Sequence, residues 1–187
     1  TTLAVNVAFH LLNDGLTVCV IDSDKQGTPS DIINELGVPL KLETITDYSQ
    51  LNKLAYDVVI VDTPPYNQNE YLQIFGNSEI VVIPTNPNFA DLLAIRSTVA
   101  LINEAKKNNP NLKACTVINR ALSVTNEYQE TIKEKIKSFG IEVLNITIAN
   151  RVAYGRSLAS DKGIFSESNK KAHNEIKQLT DEIFNLI

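Results

Sequence analysis

A series of short, β-branched apolar runs, separated by stretches with helical spacing, leaves this chain few ways to fold. The runs are Leu16 to Ile21, Val58 to Val61, Ile80 to Ile83, Ala114 to Ile118 and Ile141 to Leu144, with a weaker candidate near Leu40 to Ile45. Apolar runs without polar alternation suit strands buried on both faces, as in a parallel sheet covered by helices. Helical spacing occupies Leu3 to Leu12, Ser30 to Leu36, Ala90 to Lys106, Glu127 to Phe139 and Asn169 to Leu186. The alternation predicts an α/β fold, doubly wound, with a mostly parallel sheet flanked by helices. Ligands of such sheets bind outside the carboxyl ends of the strands. Ser30 or Asp31, Asp91 and Thr125 suit N-cap or first-turn positions, and Gly140 after Phe139 suits a helix stop.

A chain of 187 residues is long enough for one substantial core, and residues 1–187 read as a single domain. No apolar run approaches the ~18 residues of a membrane span. The net charge of -5 argues against a uniformly basic nucleic-acid surface but is compatible with a local basic patch. Cys19 and Cys115 sit inside the apolar runs VCVI and ACTVI, where a cysteine acts as a small hydrophobe. Without metal-ligand spacing they fit a reducing cytoplasm. The chain opens on TTLAVNVAF and contains no methionine, so further residues are expected ahead of Thr1.

Two runs end on acids. VCVIDSDKQG delivers Asp22 and Asp24 to a strand end, and YDVVIVDTPP delivers Asp62. Each aspartate alone reads as a cap or turn former. Three carboxylates at one rim of a parallel sheet instead suggest a hard cation, Mg²⁺, which prefers oxygen ligands and keeps several waters. Gly27, Thr28 and Pro29, and likewise Thr63, Pro64 and Pro65, make sharp exits that suit either phosphate-sensing loops or plain turns into the next helix.

Taken in order, TTLAVNVA, VIDSDKQG, YDVVIVDTPP and IVVIPTNPNFADLLA resemble the ParA/MinD group of deviant Walker ATPases over nearly the whole chain. The resemblance implies a P-loop NTPase fold with ATP and Mg²⁺ as cofactors. It makes Thr1 and Thr2 the last residues of the loop K-G-G-x-G-K-T-T, with the first strand and most of that loop upstream. The glycines and lysines of such a loop cradle and neutralise phosphates, so the chain from Thr1 onward is expected to be a poor ATPase alone.

By resemblance, Thr1 is the hydroxyl ligand of Mg²⁺ and Thr2 a phosphate contact, while Asp22 and Asp62 hold the metal's waters. Asp24 positions the attacking water, which with Asp62 makes the catalytic pair. Lys25 departs from the proline of the family's D-x-D-P-Q, leaving the D-x-D-x-Q-G frame. In VINR, Asn119 and Arg120 match residues that bind adenine, a role an amide suits because it both donates and accepts.

The segment ITIANRVAYGRSLASDKGIF is similar to partition ATPases of the ParA type, through Arg151, Tyr154 and Gly163. That similarity implies a nucleotide-dependent homodimer and nonspecific DNA binding through phosphate contacts. It also implies a centromere-binding, ParB-like partner that stimulates hydrolysis, and a cytoplasmic protein that joins the nucleoid when ATP is bound. Arg151, Arg156, Lys170 and Lys171 are the candidate DNA contacts, with Lys133, Lys135 and Lys137 as a second group. Two alternatives have discriminating features. A MinD-like membrane protein needs a basic amphipathic tail, whereas HNEIKQLTDEIFNLI reads as a docked helix with Ile176, Leu179, Ile183 and Leu186 on one stripe. A receiver-like domain would be phosphorylated on Asp62, but the TPP that follows counts against it.

Overall fold

The computed structural model describes residues 1–23, 41–43, 45, 47–63, 68–122 and 126–187. In chain order the elements are α1 (Thr2–Asn13), β1 (Val18–Asp22), β2 (Lys41–Glu43), a 3₁₀ turn (Tyr48–Lys53), β3 (Val58–Asp62), α2 (Gln68–Gly76), β4 (Ile80–Thr85), α3 (Phe89–Ala105), β5 (Lys113–Ala121), α4 (Asn126–Lys137), β6 (Glu142–Ala149), α5 (Val152–Ser157), a second 3₁₀ turn (Gly163–Ser166) and α6 (Lys170–Phe184). Among the described residues all strand pairs are parallel, in the orders β2-β1-β3 and β4-β5-β6. The α/β fold with helix-flanked parallel strands is therefore the one the alternation predicts.

The chain divides into two compact units. The first comprises residues 1–67 and 151–180. Its centre is β1, whose Val18, Cys19, Val20 and Ile21 are all buried. Ala8 and Leu11 of α1 pack on Val18 and Val20, and Val58 and Ile60 of β3 close the cluster. Burying such side chains stabilises by roughly 1.5–3 kcal/mol apiece for the larger ones. β3 is only half-buried along Val58–Val61, in contrast to the two-sided burial its apolar run predicts.

The second unit comprises residues 68–150 and 181–187. Helix α3 begins where Asn88 accepts the Asp91 N–H at 2.9 Å. The Asp91 carboxylate in the first turn accepts from the Asn86 N–H at 3.1 Å and from its Nδ2 at 2.6 Å. Asn88, not Asp91, is thus the cap, and Asp91 secures the loop leading in. Helix α4 ends at Lys137, and Gly140 turns the chain with φ +79. Strands β5 and β6 run farther than their apolar runs, to Ala121 and Ala149, because ladder pairing continues through polar residues.

Helices α2 and α5 were not expected. α2 is short, and α5 spans little more than one turn, too brief for a 3.6-residue period to register. The Ser30 to Leu36 helix, Ser30, Asp31 and Thr125 lie outside the described residues. Cys19 and Cys115 are both buried, as expected, and burial pushes the Cys115 thiol up to about 12.

Candidate nucleotide site

Parallel pairing sets Asp22 directly opposite Asp62 in the β1–β3 register. Register partners on neighbouring parallel strands project to the same face, about 4.8 Å apart, so the two carboxylates rise side by side from the carboxyl end of the sheet. Two like charges at that spacing repel unless a cation or a donor offsets them. Part of the offset comes from the start of α1. Thr1 Oγ1 donates to Asp62 Oδ2 at 2.5 Å. Asp62 is buried, at 8 % exposure.

Ser23, the residue that follows Asp22 at the end of β1, fixes the strand end. Its N–H and its Oγ both donate to the Asp62 carbonyl, at 3.0 and 2.8 Å. This brace was invisible to a search for acids, although a hydroxyl between two aspartates was the available signal. A hydroxyl and two carboxylates on one rim are hard oxygen donors of the kind Mg²⁺ takes, the carboxylates through its waters. Among the described residues no three His, Cys, Asp or Glu side chains form a metal cluster by themselves. Asp24, the third predicted acid, lies outside the described residues, as do Lys25, Gly27, Thr28, Pro29, Pro64 and Pro65.

In the second unit, Asn119 and Arg120 stand at the carboxyl end of β5, where the β5–β6 register shifts between Ile118 and Ala121. Asn119 Oδ1 accepts the Arg120 N–H at 2.9 Å. Arg120 has φ +52, the one non-glycine residue with positive φ among the described residues, and its side chain is exposed. Such backbone costs on the order of 1–3 kcal/mol and is concentrated at functional sites.

The four candidate DNA contacts divide into two kinds. Arg151 is held by Glu175: Nε donates to Oε1 and Oε2 at 3.0 and 3.2 Å, and Nη2 to Oε1 at 2.5 Å. Tyr154 OH adds a bond to Glu175 Oε2 at 2.8 Å. The Glu175 hydrogen bonds raise the Arg151 pKa, while burial, reinforced by Glu175, raises that of the Tyr154 phenol. Arg156, Lys170 and Lys171 are exposed. In the second group, Lys133 donates to the Asn145 carbonyl at 2.9 Å and lies 3.9 Å from Glu130, whereas Lys135 and Lys137 are exposed.

Residues 1–164 match the family described as the CobQ/CobB/MinD/ParA nucleotide binding domain. The chain belongs to this family. ParA/MinD proteins are ATPases of positioning and partition that work with ATP and Mg²⁺, and a nucleotide-binding domain of this kind replaces the receiver-like alternative. The maintenance of carboxysome distribution protein A of Halothiobacillus neapolitanus is 29% identical over 98% of this chain and 89% of its own length. A ParA family protein of Mycoplasma pneumoniae is 30% identical over 71% of this chain, which covers 52% of that relative. The crystal structure of a plasmid partition protein of Borrelia burgdorferi bound to AMPPNP shares the fold, with a TM-score of 0.72 at 19% identity, over 100% of this chain and 93% of that one.

Proposed function

We propose that this ParA/MinD-type chain is the ATPase domain of a protein that dimerises on Mg²⁺–ATP and, as the dimer, binds DNA without sequence preference to partition plasmid or chromosomal DNA. The observation that carries the reading is the Thr1 hydroxyl on Asp62 with Asp22 in register beside it. Thr1 Oγ1 would ligate the metal, Asp22 and Asp62 would hold its waters, and Thr2 would contact phosphate. When bound, Mg²⁺ bridges phosphate oxygens and neutralises the charge developing on them. Asp24 would orient the attacking water, a task of positioning more than of basicity because phosphoryl transfer is loose.

Asn119 and Arg120 are assigned to adenine. The Asn119 amide oxygen already bonds its own chain, so its Nδ2 is the group offered to the base, with the guanidinium lying against the ring. DNA phosphates are assigned to Arg156, Lys170 and Lys171. Arg151, paired with Glu175, orders this face instead of reaching DNA. A centromere-binding, ParB-like protein would stimulate turnover, and the ATP-bound dimer would sit on the nucleoid within the cytoplasm.

A MinD-like membrane role finds less support. Of the stripe Ile176, Leu179, Ile183 and Leu186, the first two are buried and the last two half-buried, and no helix among the described residues is long and apolar enough to cross a membrane. The deciding measurement is retention on nonspecific DNA across a salt series. Binding with ATP and not with ADP, weakening as salt rises, is expected. Sedimentation with anionic liposomes in ATP, and no retention on DNA, would reject the reading.

A further inference from the structure

Asn6 is fully buried, and every polar atom of its side chain is engaged. Nδ2 donates to the Thr2 carbonyl at 2.8 Å and to Ser157 Oγ at 2.9 Å, and Oδ1 accepts the Ile164 N–H at 2.6 Å. Ser157 is buried too, and passes its own proton to the Tyr154 carbonyl at 2.9 Å. One amide therefore joins the first turn of α1, the last residue of α5 and the 3₁₀ turn at Gly163–Ser166.

The approach of that turn is possible only because residue 163 is glycine. Gly163 has φ +58, and a Cβ there would stand 2.6 Å from Asn6 Oδ1 and 2.6 Å from Phe9 Cδ2. Both the backbone angle and the missing side chain let the Ile164 amide reach Asn6. In a buried, low-dielectric setting, a hydrogen bond lost from such a network goes unreplaced by water, so the parts move together or pay for separating.

We propose that Asn6 is a positioning residue that couples the seating of the Ser157–Ile164 segment to the first turn of α1, and hence to magnesium–nucleotide occupancy at Thr1. The inference rests on the nucleotide-site reading above. Thr1 and Thr2 open α1, so a shift of the Thr2 carbonyl displaces the hydroxyl that meets Asp62. At the other end, α5 carries Arg156 next to Ser157. Linkage makes the effect reciprocal: ordering the Ser157–Ile164 segment tightens nucleotide binding, and nucleotide orders that segment.

The test uses the full-length protein, a fluorescent ATP analogue with Mg²⁺, and amide hydrogen exchange at Ile164. Nucleotide is expected to slow Ile164 exchange in the wild type. Ser157→Ala, which removes one partner of Asn6 and touches nothing at Thr1, is expected to weaken nucleotide binding about fivefold or more, the lower end of coupling between sites. Thr180→Ala is the matched control, since Thr180 is buried and its hydroxyl donates to the Ile176 carbonyl away from Asn6. It is expected to lower the melting temperature and leave nucleotide affinity alone. Equal affinity losses in the two variants, or unchanged affinity in Ser157→Ala, would overturn the coupling. A wild type that binds no nucleotide would instead remove the reading on which it rests.

Discussion

Asp22 and Asp62, forty residues apart in the chain, are direct partners in the parallel register of β1 and β3. The arrangement concentrates negative charge where a metal's waters would be held. Asp22→Asn should therefore lose roughly 10–100-fold in Mg²⁺-dependent hydrolysis, the usual effect of changing a group that orients a metal's ligands. A Mg²⁺ titration of phosphate release measures the effect.

Arg151 and Arg156 should separate by phenotype. Arg151→Ala takes the guanidinium away from the buried Glu175 carboxylate, which keeps the Tyr154 OH as a donor, so a stability loss of about 2 kcal/mol or more is expected in urea unfolding. Arg156→Ala, on an exposed side chain, should leave urea unfolding nearly unchanged and reduce the salt slope of DNA binding by about one. The reverse pattern would return Arg151 to the DNA-contact role that its sequence motif implies.

The ends of β1 and β3 opposite the acids are joined by a reciprocal pair. Thr17 donates its N–H and Oγ1 to Asp57 Oδ2 at 2.8 and 2.6 Å, and the Asp57 N–H returns a bond to Thr17 Oγ1 at 3.0 Å. The Thr17 side-chain and backbone hydrogen bonds hold the Asp57 carboxyl below the ordinary aspartate value. Its contribution to stability is thus fully present above the unfolded-state pKa, near 3.8, and is lost as pH falls through the lower folded-state value. Asp57→Asn should be less stable than the wild type near neutrality, and the gap should close as the pH drops below about 4. Denaturation curves from pH 7 to 2 test the sign.

Thr116, in the middle of β5, is fully buried, and its Oγ1 has no hydrogen-bond partner among the described residues. Thr116→Val exchanges that hydroxyl for a methyl of similar volume, and a stabilisation of about 1 kcal/mol is expected from ending the desolvation penalty. A lower melting temperature in the variant would show that the hydroxyl is satisfied in solution.

Much of this protein was legible in one dimension, because strand and helix formation depend on neighbours a few residues away. Apolar runs at β1, β3, β4, β5 and β6, and helical spacing at α1, α3, α4 and α6, announced the α/β alternation. The acids Asp22 and Asp62 were visible because they end those runs, and the same stretches carried the family resemblance. Helix α5 and the Ser23 brace escaped notice, one for want of length and the other because a lone serine carries no periodic signal.

Tertiary structure alone decided which distant groups meet. A list of residues could name Arg151 as a cation, but only the placement of α6 revealed Glu175 as its partner, and only the 3₁₀ turn brought Ile164 to Asn6. Sequence determined the elements and the chemistry each one bears, since those follow from local sterics and burial periodicity. Whether a charge is free or spent depends on hydrogen bonds between residues as much as 158 positions apart, and such pairings exist only once the chain has closed on itself.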